Sequence, residues 1–280
     1  MVFHLKKQIS SKVLANYLCA EHSGPSVAVL SVGDLMSAHA GCLCFAVGSA
    51  KNYDDQAIVI CNSVANRSLT CIVTDNPRLI FIKGLSYLLS NRFIDQKFQG
   101  NIHPTARVSD LAIIEKGAEV GAGVSIGPGS YVKSCVVLGD NTVVGANCTL
   151  GHAGFGFERD ENGIAIRFPH LGKLVIGQDC EIGNSCCISR GTLRDTVVER
   201  GIKIDDHAYL AHNVFVKANS LIMAGVRLNG GVVVGKQCWI GTNAIIREGC
   251  IIHDYVTVGM GSVVVKKIEK NSVVFGNPAD

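Results

Sequence analysis

Histidines and carboxylates in the second half of the chain supply groups that can transfer protons at neutral pH. His212 follows Asp205 by seven positions, and Asp206 lies next to that carboxylate. Imidazole titrates near neutrality, which suits a general base, and a carboxylate can orient the ring and stabilise its charged form. His207 and His212 also have the HxxxxH spacing of a zinc site. Because an outward-facing histidine is often only a solvated surface group, the surrounding elements must decide between these interpretations.

The elements around these residues repeat with a period of six. An aliphatic residue returns at every sixth position from Ile102 to Leu150, then from 176 to 188, and again from 198 to 264. Neither a helix nor a single alternating strand produces this pattern. The residue four positions after each aliphatic is nearly always small. These small residues include five of the twelve cysteines, namely Cys148, Cys180, Cys186, Cys238 and Cys250.

A triangular solenoid accounts for both signals. Each hexad forms one short strand and a corner, three hexads form one coil, and the aliphatic side chain points into a narrow prism. The three runs hold 24 hexads, which predicts about eight coils, with residues 18 apart stacked at about 4.8 Å. Glycine often follows the aliphatic, and we expect it there because it can adopt corner dihedral angles that other residues avoid.

This stacking places further groups beside His212. The histidine lies two positions after the inward Leu210, so it faces outward at a corner. Gly230 is 18 positions later and is expected directly above or below the ring, where its unobstructed N–H can stabilise an oxyanion. Arg190 is expected on the other side of the stack, where a guanidinium can bind a phosphate or carboxylate through two parallel hydrogen bonds.

The first hundred residues lack the hexad. Short apolar runs at 27–30, 57–60 and 71–73 predict strands, and Asn76 followed by Pro77 begins a predicted helix. We therefore predict a mainly β protein, a parallel β-helix preceded by a small α/β domain. The expected parts are an α/β domain at 1–100, a β-helix at 101–272 with a loop at 151–175, and a C-terminal tail at 273–280.

Composition narrows the class of protein. Apolar residues make up 48% and charged residues 18% of the chain, which predicts a substantial buried core. A net charge of +3 does not indicate a nucleic-acid surface. No apolar run approaches the roughly 20 residues that span a bilayer, and the first residues lack the pattern of a signal peptide. Without a CxxC pair the cysteines indicate reduced thiols, so we expect a cytoplasmic protein with no metal.

The two parts together resemble the UDP-3-O-acylglucosamine N-acyltransferase family of lipid A biosynthesis. The matching stretches are 154–157, 168–172, 188–191 with Leu193 and Asp195-Thr196, 204–214 and, at the front, Met36-Ser37-Ala38 followed by Phe45, which is similar to the uridine-binding domain of that family. The resemblance implies a homotrimer of left-handed β-helices with active sites in clefts between subunits. It also implies transfer of an acyl group from an acyl-carrier-protein thioester to the amine of a nucleotide-linked sugar.

The resemblance assigns the catalytic histidine to His212 and the acidic residue to Asp205. Attack of an amine on a thioester needs a base and an oxyanion donor, and Gly230 is the candidate donor. The candidate substrate-binding residues are Phe45 and Tyr53, which would contact the uracil or the rest of the nucleotide, and Arg190, Phe155, Phe157, His152 and Asn213. Alternatives remain for two of these groups, since His152 can be structural and the two phenylalanines can simply pin the long loop.

The sequence also departs from that family. Ala153 replaces an Asp of the motif, and Gly249 lies where a second functional histidine falls. The end of the chain resembles the coenzyme-A-dependent sugar acetyltransferases, so the expected donor is a thioester of acyl-carrier protein or of coenzyme A. The acceptor is a UDP- or dTDP-amino sugar of lipid A or surface-polysaccharide biosynthesis. Two alternatives are a non-catalytic nucleotide-sugar-binding scaffold and a zinc enzyme similar to the γ-class carbonic anhydrases.

Overall fold

The chain divides into two compact units. The computed structural model describes residues 2–50, 56–64 and 68–280. The first unit comprises the residues up to 96 together with 156–171, and the second comprises 97–155 and 172–280. Segment 156–171, expected within the β-helix domain as part of its long loop, therefore belongs to the first unit.

The first unit is an α/β layer structure. Its elements in the main segment are β1 (Val2–Ser10), α1 (Ser11–Tyr17), β2 (Glu21–Ser23), β3 (Ala28–Gly33), a 3₁₀ turn (Leu35–Ser37), β4 (Cys42–Phe45), β5 (Ser49–Ala50), β6 (Ile58–Cys61), β7 (Ser63–Val64), β8 (Thr70–Val73) and α2 (Pro77–Ser90). Six strands form a sheet in the order β1-β3-β4-β6-β8-β2. Its four central strands are parallel, and β1 and β2 are antiparallel edge strands. The predicted strands and helix are present.

Helix α2 begins as the sequence predicts. The Asn76 side-chain oxygen accepts a hydrogen bond from the Leu79 N–H at 3.0 Å, and Pro77 occupies the first turn. Gly84, which weakens the helix intrinsically, lies where a Cβ atom would be 3.3 Å from Leu18, so it permits the close approach of that side chain. Of the helices in the described ranges, none could span a bilayer; the longer one, α2, has 14 residues.

Segment 156–171 joins the first unit through aromatic and charged contacts with α2. It forms a hairpin of β17 (Phe157–Arg159) and β18 (Ala165–Arg167). The buried Phe168 ring lies 6.0 Å from the Phe81 ring, measured between centroids. The Arg78 guanidinium contacts Glu158 at 3.3 Å. The segment therefore packs within the first unit and does not form a coil of the β-helix.

The second unit is a left-handed parallel β-helix with a triangular cross-section. Its strands are β9 (Arg107–Val108), β10 (Ile113–Ile114), β11 (Glu119–Val120), β12 (Ser125–Ile126), β13 (Tyr131–Val132), β14 (Val136–Leu138), β15 (Val143–Val144), β16 (Thr149–His152), β19 (Leu174–Ile176), β20 (Glu181–Ile182), β21 (Cys187–Ser189), β22 (Thr196–Val198), β23 (Lys203–Ile204), β24 (Tyr209–Leu210), β25 (Phe215–Val216), β26 (Leu221–Ile222), β27 (Arg227–Leu228), β28 (Val233–Val234), β29 (Trp239–Ile240), β30 (Ile245–Ile246), β31 (Ile251–Ile252), β32 (Thr257–Val258), β33 (Val263–Val264) and β34 (Val273–Val274).

These strands form three parallel faces of eight, seven and nine strands. The predicted hexads and number of coils are therefore confirmed. Residues 18 apart pair in adjacent coils, as Val120 does with Leu138. Across the long insertion Leu150 pairs with Ile188, and across the short one Ile188 pairs with Leu210. The coils thus keep their register on both sides of each insertion.

Some of the small interior residues are alanines, and the others are polar for a structural reason. All five cysteines of the hexad pattern are buried free thiols. Cys148 Sγ lies 3.0 Å from the Gly183 carbonyl oxygen, and the hydroxyl of Ser130 donates to the Gly145 carbonyl at 2.7 Å. A thiol or hydroxyl here satisfies a corner carbonyl that a methyl group would leave without a donor.

The reason predicted for the glycines that follow the aliphatic residues is wrong for all of them except Gly151, which has a φ of 81°. Left-handed backbone occurs two positions later in the hexad, for example at Asn141 with φ of 58° and at Gly261 with φ of 66°. Gly145, which directly follows its aliphatic residue, is not among the residues with positive φ. A Cβ atom there would lie 2.8 Å from the Gly183 carbonyl carbon in the next coil. Glycine is needed because the coils approach closely.

The C-terminal residues continue the β-helix. Strand β34 pairs with β32, so that Val274 lies beside Val258. The Ala279 side chain is fully buried, and its N–H donates to the Val263 carbonyl at 2.9 Å. The segment 273–280, expected as a tail, is therefore part of the packed solenoid.

Two glycine substitutions should distinguish the effect of a steric clash with the next coil from the effect of left-handed backbone. We expect Gly145→Ala to lower the free energy of unfolding by about 1–3 kcal/mol, because the new Cβ meets backbone atoms that cannot move independently. Gly261→Asn should change it by less than about 0.5 kcal/mol, because nothing lies within 4 Å and asparagine tolerates left-handed backbone. Urea denaturation followed by circular dichroism measures both. An equal loss of unfolding free energy in both variants would contradict the conclusion that close approach of the coils requires Gly145.

Candidate functional site

Four candidate residues line one edge of the β-helix, the corner that follows the eight-stranded face. His152, Arg190, His212 and Gly230, here called the His212 edge, each lie two positions after an inward aliphatic residue in successive coils. The Arg190 N–H donates to the His152 carbonyl, and the Gly231 N–H donates to the His212 carbonyl, both at 2.9 Å. The stacking of Gly230 and Arg190 on either side of His212 agrees with the sequence.

A hydrogen-bonded amide sets the orientation of the His212 ring. Asn213 Nδ2 donates to the Arg194 carbonyl at 3.1 Å, which identifies the amide nitrogen. The other amide atom, Oδ1, accepts from the Thr192 hydroxyl at 2.8 Å and lies 2.9 Å from His212 Nδ1. Because Oδ1 can only accept, Nδ1 carries the proton of the neutral ring, and Nε2 holds the lone pair of a base.

The short insertion supports this asparagine. The Asn213 N–H donates to the Thr196 hydroxyl oxygen at 2.9 Å, and its φ of 62° is a left-handed value that asparagine tolerates. Thr192 and Arg194 belong to the four-residue insertion that shifts the register between β21 and β24. The extra residues thus supply both partners that fix the amide.

Gly230 packs directly against the imidazole. A Cβ atom on it would lie 2.9 Å from His212 Cε1 and 3.1 Å from Nε2. At equivalent corners a side chain of the next coil accepts the backbone N–H, as Asp206 Oδ1 does for the Asn184 N–H at 2.6 Å and Asp254 Oδ1 does for the Lys236 N–H at 3.0 Å. Within the described ranges of the chain, no acceptor bonds the Gly230 N–H.

The two carboxylates lie on a different edge. Asp205 follows β23, at the corner before β24, whereas His212 follows β24. Asp205 Oδ1 accepts from the Asp206 N–H at 2.8 Å, and Asp206 Oδ1 accepts from Asn184. Asp205 therefore does not orient the His212 ring within one chain. The acceptor for Nδ1–H is Asn213 Oδ1 instead. Asp205 lines a cleft of about 450 Å³ with Lys203, Leu221, Met223 and Trp239, among others.

Arg190 is held by its own chain. Its Nε donates to the Gly172 carbonyl at 2.6 Å, and its guanidinium carbon lies 5.3 Å from the centroid of the Phe98 ring. Lys173 Nζ lies 6.0 Å from the same centroid. Burial lowers the pKa of Arg190 from its usual value. The hydrogen bond to Gly172 and the contact with Phe98 hold the guanidinium in place, one coil from His212.

His152 is engaged through both ring nitrogens. Nδ1 lies 2.9 Å from the Ala153 carbonyl oxygen, and Nε2 lies 3.0 Å from the Ser189 hydroxyl and 3.1 Å from Cys187 Sγ. Burial lowers the pKa of this histidine. The sequence drew attention to His152 but not to Cys187 or Ser189, because their proximity depends on a pairing of residues 35 and 37 positions apart across the long insertion.

The aromatic candidates are dispersed. Phe45 is half-buried in the first unit, with its ring centroid 4.9 Å from that of Phe81. Phe157 lies 4.4 Å from the Arg167 guanidinium, also within the first unit. Phe155 belongs to the second unit and is 83% exposed. Tyr53 lies outside the described residues.

The zinc alternative gains no support from the site. Among residues 2–50, 56–64 and 68–280, no group of three or more histidine, cysteine, aspartate or glutamate side chains could hold a metal ion. His207 and His212 lie at successive corners, and His207 has a left-handed φ of 60°.

Comparison with known proteins places this geometry in context. The family described as bacterial transferase hexapeptide (six repeats) matches residues 117–152 and 231–266. A UDP-3-O-acylglucosamine N-acyltransferase of Coxiella burnetii (strain Dugway 5J108-111) is 32% identical over 239 residues, which cover 74% of this chain and 69% of that protein. An enzyme of the same name from Janthinobacterium sp. (strain Marseille) is 33% identical over 153 residues, which cover 55% of this chain and 43% of the relative. The chain thus aligns with less than half the length of the latter.

A solved structure shares the fold. The UDP-N-acetylglucosamine acyltransferase of Campylobacter jejuni matches with a TM-score of 0.53 at 19% identity, covering 64% of this chain and 73% of that one. At this level of identity the likeness concerns the β-helix alone.

The tautomer of His212 can be measured directly. In the neutral ring we expect ¹⁵N chemical shifts that show a protonated Nδ1 and an unprotonated Nε2. Asn213→Ala should bring the two nitrogens towards averaged shifts, because the acceptor that selects one tautomer is lost. Asn219→Ala removes an asparagine with nearly the same φ, 60°, from another corner and should leave the His212 shifts unchanged. Unaltered shifts in Asn213→Ala would refute the assigned role of the amide.

Proposed function

Because the chain belongs to the UDP-3-O-acylglucosamine N-acyltransferase family, we propose that it moves an acyl group from a thioester to the amine of a nucleotide-linked amino sugar. The donor is a thioester of acyl-carrier protein or of coenzyme A, and the acceptor is a UDP- or dTDP-amino sugar. The observation that carries the proposal is the His212 ring, held through Nδ1 by Asn213 and packed on Gly230, whose N–H has no acceptor among the described residues.

In the proposed reaction the sugar amine attacks the thioester carbonyl carbon. Nε2 of His212 takes a proton from the attacking amine, while the carbonyl electron pair moves onto its oxygen. The Gly230 N–H donates to this oxyanion. Collapse of the intermediate breaks the carbon–sulfur bond, and the leaving thiolate takes the proton from the imidazolium. The products are an amide and a free thiol.

Asn213 holds the ring without supplying a charge. Its Oδ1 accepts a hydrogen bond from the Nδ1–H of both the neutral and the protonated ring, so the orientation is kept throughout the reaction. A carboxylate would stabilise the imidazolium more strongly. Asp205 lies on another edge, so a role for it at the ring requires a second copy of the chain. We therefore include the homotrimer in the proposal, with a site between subunits.

The remaining candidates have supporting roles in the proposal. Arg190, one coil from the ring, is placed to attract a phosphate of the nucleotide, although its Nε is already engaged. The exposed Phe155 can offer an apolar surface to the substrate. Phe45, Tyr53 and Phe157 remain candidates for contacts with the nucleotide.

Mass spectrometry of reactions with pooled UDP- and dTDP-amino sugars tests the activity. Acyl-coenzyme A and acyl-carrier protein are supplied in separate reactions. We expect an amide product with one donor and a loss of about 10²–10⁴-fold in rate for His212→Ala, the usual contribution of a general base. His207→Asn keeps a residue that tolerates left-handed backbone and should stay within about twofold of the wild type. Absence of product with both donors, from folded protein, would favour the non-catalytic scaffold. Equal losses for both histidines would favour the zinc alternative.

Adjacent glycines provide a matched test of the packing on the ring. Gly230→Ala places a Cβ 2.9 Å from His212 Cε1 and must displace the imidazole. We expect a loss of about 10²-fold in kcat, since a shift of about 1 Å at a reacting group has that cost. A Cβ atom on Gly231 would meet nothing within 4 Å, and asparagine tolerates the φ of 69° there, so Gly231→Asn should retain activity. Full activity in Gly230→Ala would exclude the proposed arrangement of base and oxyanion donor.

A further inference from the structure

A thiol and a second imidazole form a pair on the His212 edge. His152 Nδ1 lies 2.9 Å from the Ala153 carbonyl oxygen, which can only accept, so this nitrogen carries the proton of the neutral ring. Nε2 is therefore an acceptor. It faces Cys187 Sγ at 3.1 Å and the Ser189 hydroxyl at 3.0 Å. A nucleophile, a base and a group that orients the base are thus in hydrogen-bond contact.

Exposure to solvent distinguishes the two hydrogen-bond partners of His152 Nε2. Ser189 is fully buried, so its hydroxyl cannot meet a substrate. Cys187 directly precedes the inward Ile188, which directs its side chain outward, and it is partly exposed. Ten of the twelve cysteines are buried, and the exposed one is Cys19. Among the half-exposed and exposed thiols, Cys187 is the one that has a base in contact.

The resting pair is uncharged. Burial lowers the pKa of His152 and raises the pKa of Cys187, so both effects favour a neutral thiol that donates to a neutral imidazole. Such a pair resembles a serine–histidine pair more than a thiolate–imidazolium pair. The sulfur becomes nucleophilic as the base takes its proton during attack.

We propose that Cys187 is a second nucleophilic site, which accepts the acyl group of a thioester with His152 as its base. Sγ attacks the carbonyl carbon while Nε2 takes the thiol proton. The bond between the carbonyl carbon and the donor sulfur then breaks, and the leaving thiolate takes the proton from Nε2. One thioester is exchanged for another, so no oxidant or cofactor is consumed. The inference rests on the proposed function only in that thioesters reach this surface.

The Cys187–His152 pair lies close to the candidate site at His212. His152 stacks beneath Arg190, which stacks beneath His212. Two coil spacings of about 4.8 Å separate the two imidazoles, or about 10 Å. An acyl group on Cys187 would therefore lie along the same edge as the candidate site.

A small thioester tests the acylation without any need for carrier recognition. The full chain is incubated with the acetyl thioester of N-acetylcysteamine, without sugar, and digested peptides are analysed by mass spectrometry. We expect acetylation of Cys187 that hydroxylamine removes and that exceeds acetylation of Cys19 at least tenfold. His152→Asn retains a donor for the Ala153 carbonyl but has no basic nitrogen, and should lower the rate at Cys187 at least tenfold. Acetylation of Cys187 no faster than of Cys19, or unchanged in His152→Asn, would overturn the proposal.

Ser189→Ala is the matched control. It removes the hydroxyl that shares Nε2 and leaves the Cys187–His152 contact, so the rate at Cys187 should equal or exceed that of the wild type. A tenfold loss in this variant would contradict the proposed pairing. The ten buried thiols report on folding in each variant, because they remain unlabelled only while the core is intact.

Alkylation by iodoacetamide separates the reactivity of the thiol from the acyl transfer. Cys187 should be alkylated faster in the wild type than in His152→Asn, and Cys19 equally fast in both. Alkylation that depends on His152 without any acetylation would overturn the acyl-transfer step. His212→Ala should abolish the sugar amide and leave the acetylation of Cys187 intact. If the wild type forms no sugar amide while Cys187 is acetylated, the proposed function fails and this inference stands.

Discussion

Backbone hydrogen bonds between successive coils fix the position of every group on the β-helix. The Gly145 N–H donates to the Ile182 carbonyl at 2.8 Å, and equivalent bonds recur along all three faces. Because each residue has a neighbour directly above and below it, the side chains of one corner form a column. The chemistry of an edge therefore depends on which residue types follow one another in that column. This constraint also explains why glycine is required where a Cβ atom would meet the next coil.

The His212 edge is a place where the corner pattern changes. At other corners an aspartate or asparagine accepts the backbone N–H of the coil before it, as Asp206 does for Asn184. Gly230 has no side chain to offer, and within the part of the chain that the structure describes its own N–H has no acceptor. The space that a side chain would fill is taken by the His212 ring. An unsatisfied donor beside a basic nitrogen is costly for stability but useful for stabilising a developing negative charge.

Periodicity predicted much of this arrangement, and non-local contacts determined the rest. The stacking of Gly230 on His212 follows from a spacing of 18 residues and could be predicted from the sequence. A spacing of seven residues is one hexad and one further position, so the phase of the repeat already places Asp205 on another edge. The bond from Thr192 to Asn213 could not be predicted, because it depends on how four inserted residues fold. The contact of Phe168 with Phe81 could not be predicted either, since these residues belong to no repeat.

The two insertions also bear on how such a protein can change over evolutionary time. Leu150 and Ile188 pair in the same way as residues 18 apart, although 20 additional residues separate them. Each coil contacts only its neighbours, so added chain at a corner leaves the more distant coils undisturbed. Thr192 and Arg194, which hold the Asn213 amide that orients the His212 ring, lie within such an added segment. Variation in reactivity can therefore arise at the corners while the stacked faces that provide stability remain the same, which makes the scaffold modular in the evolutionary sense.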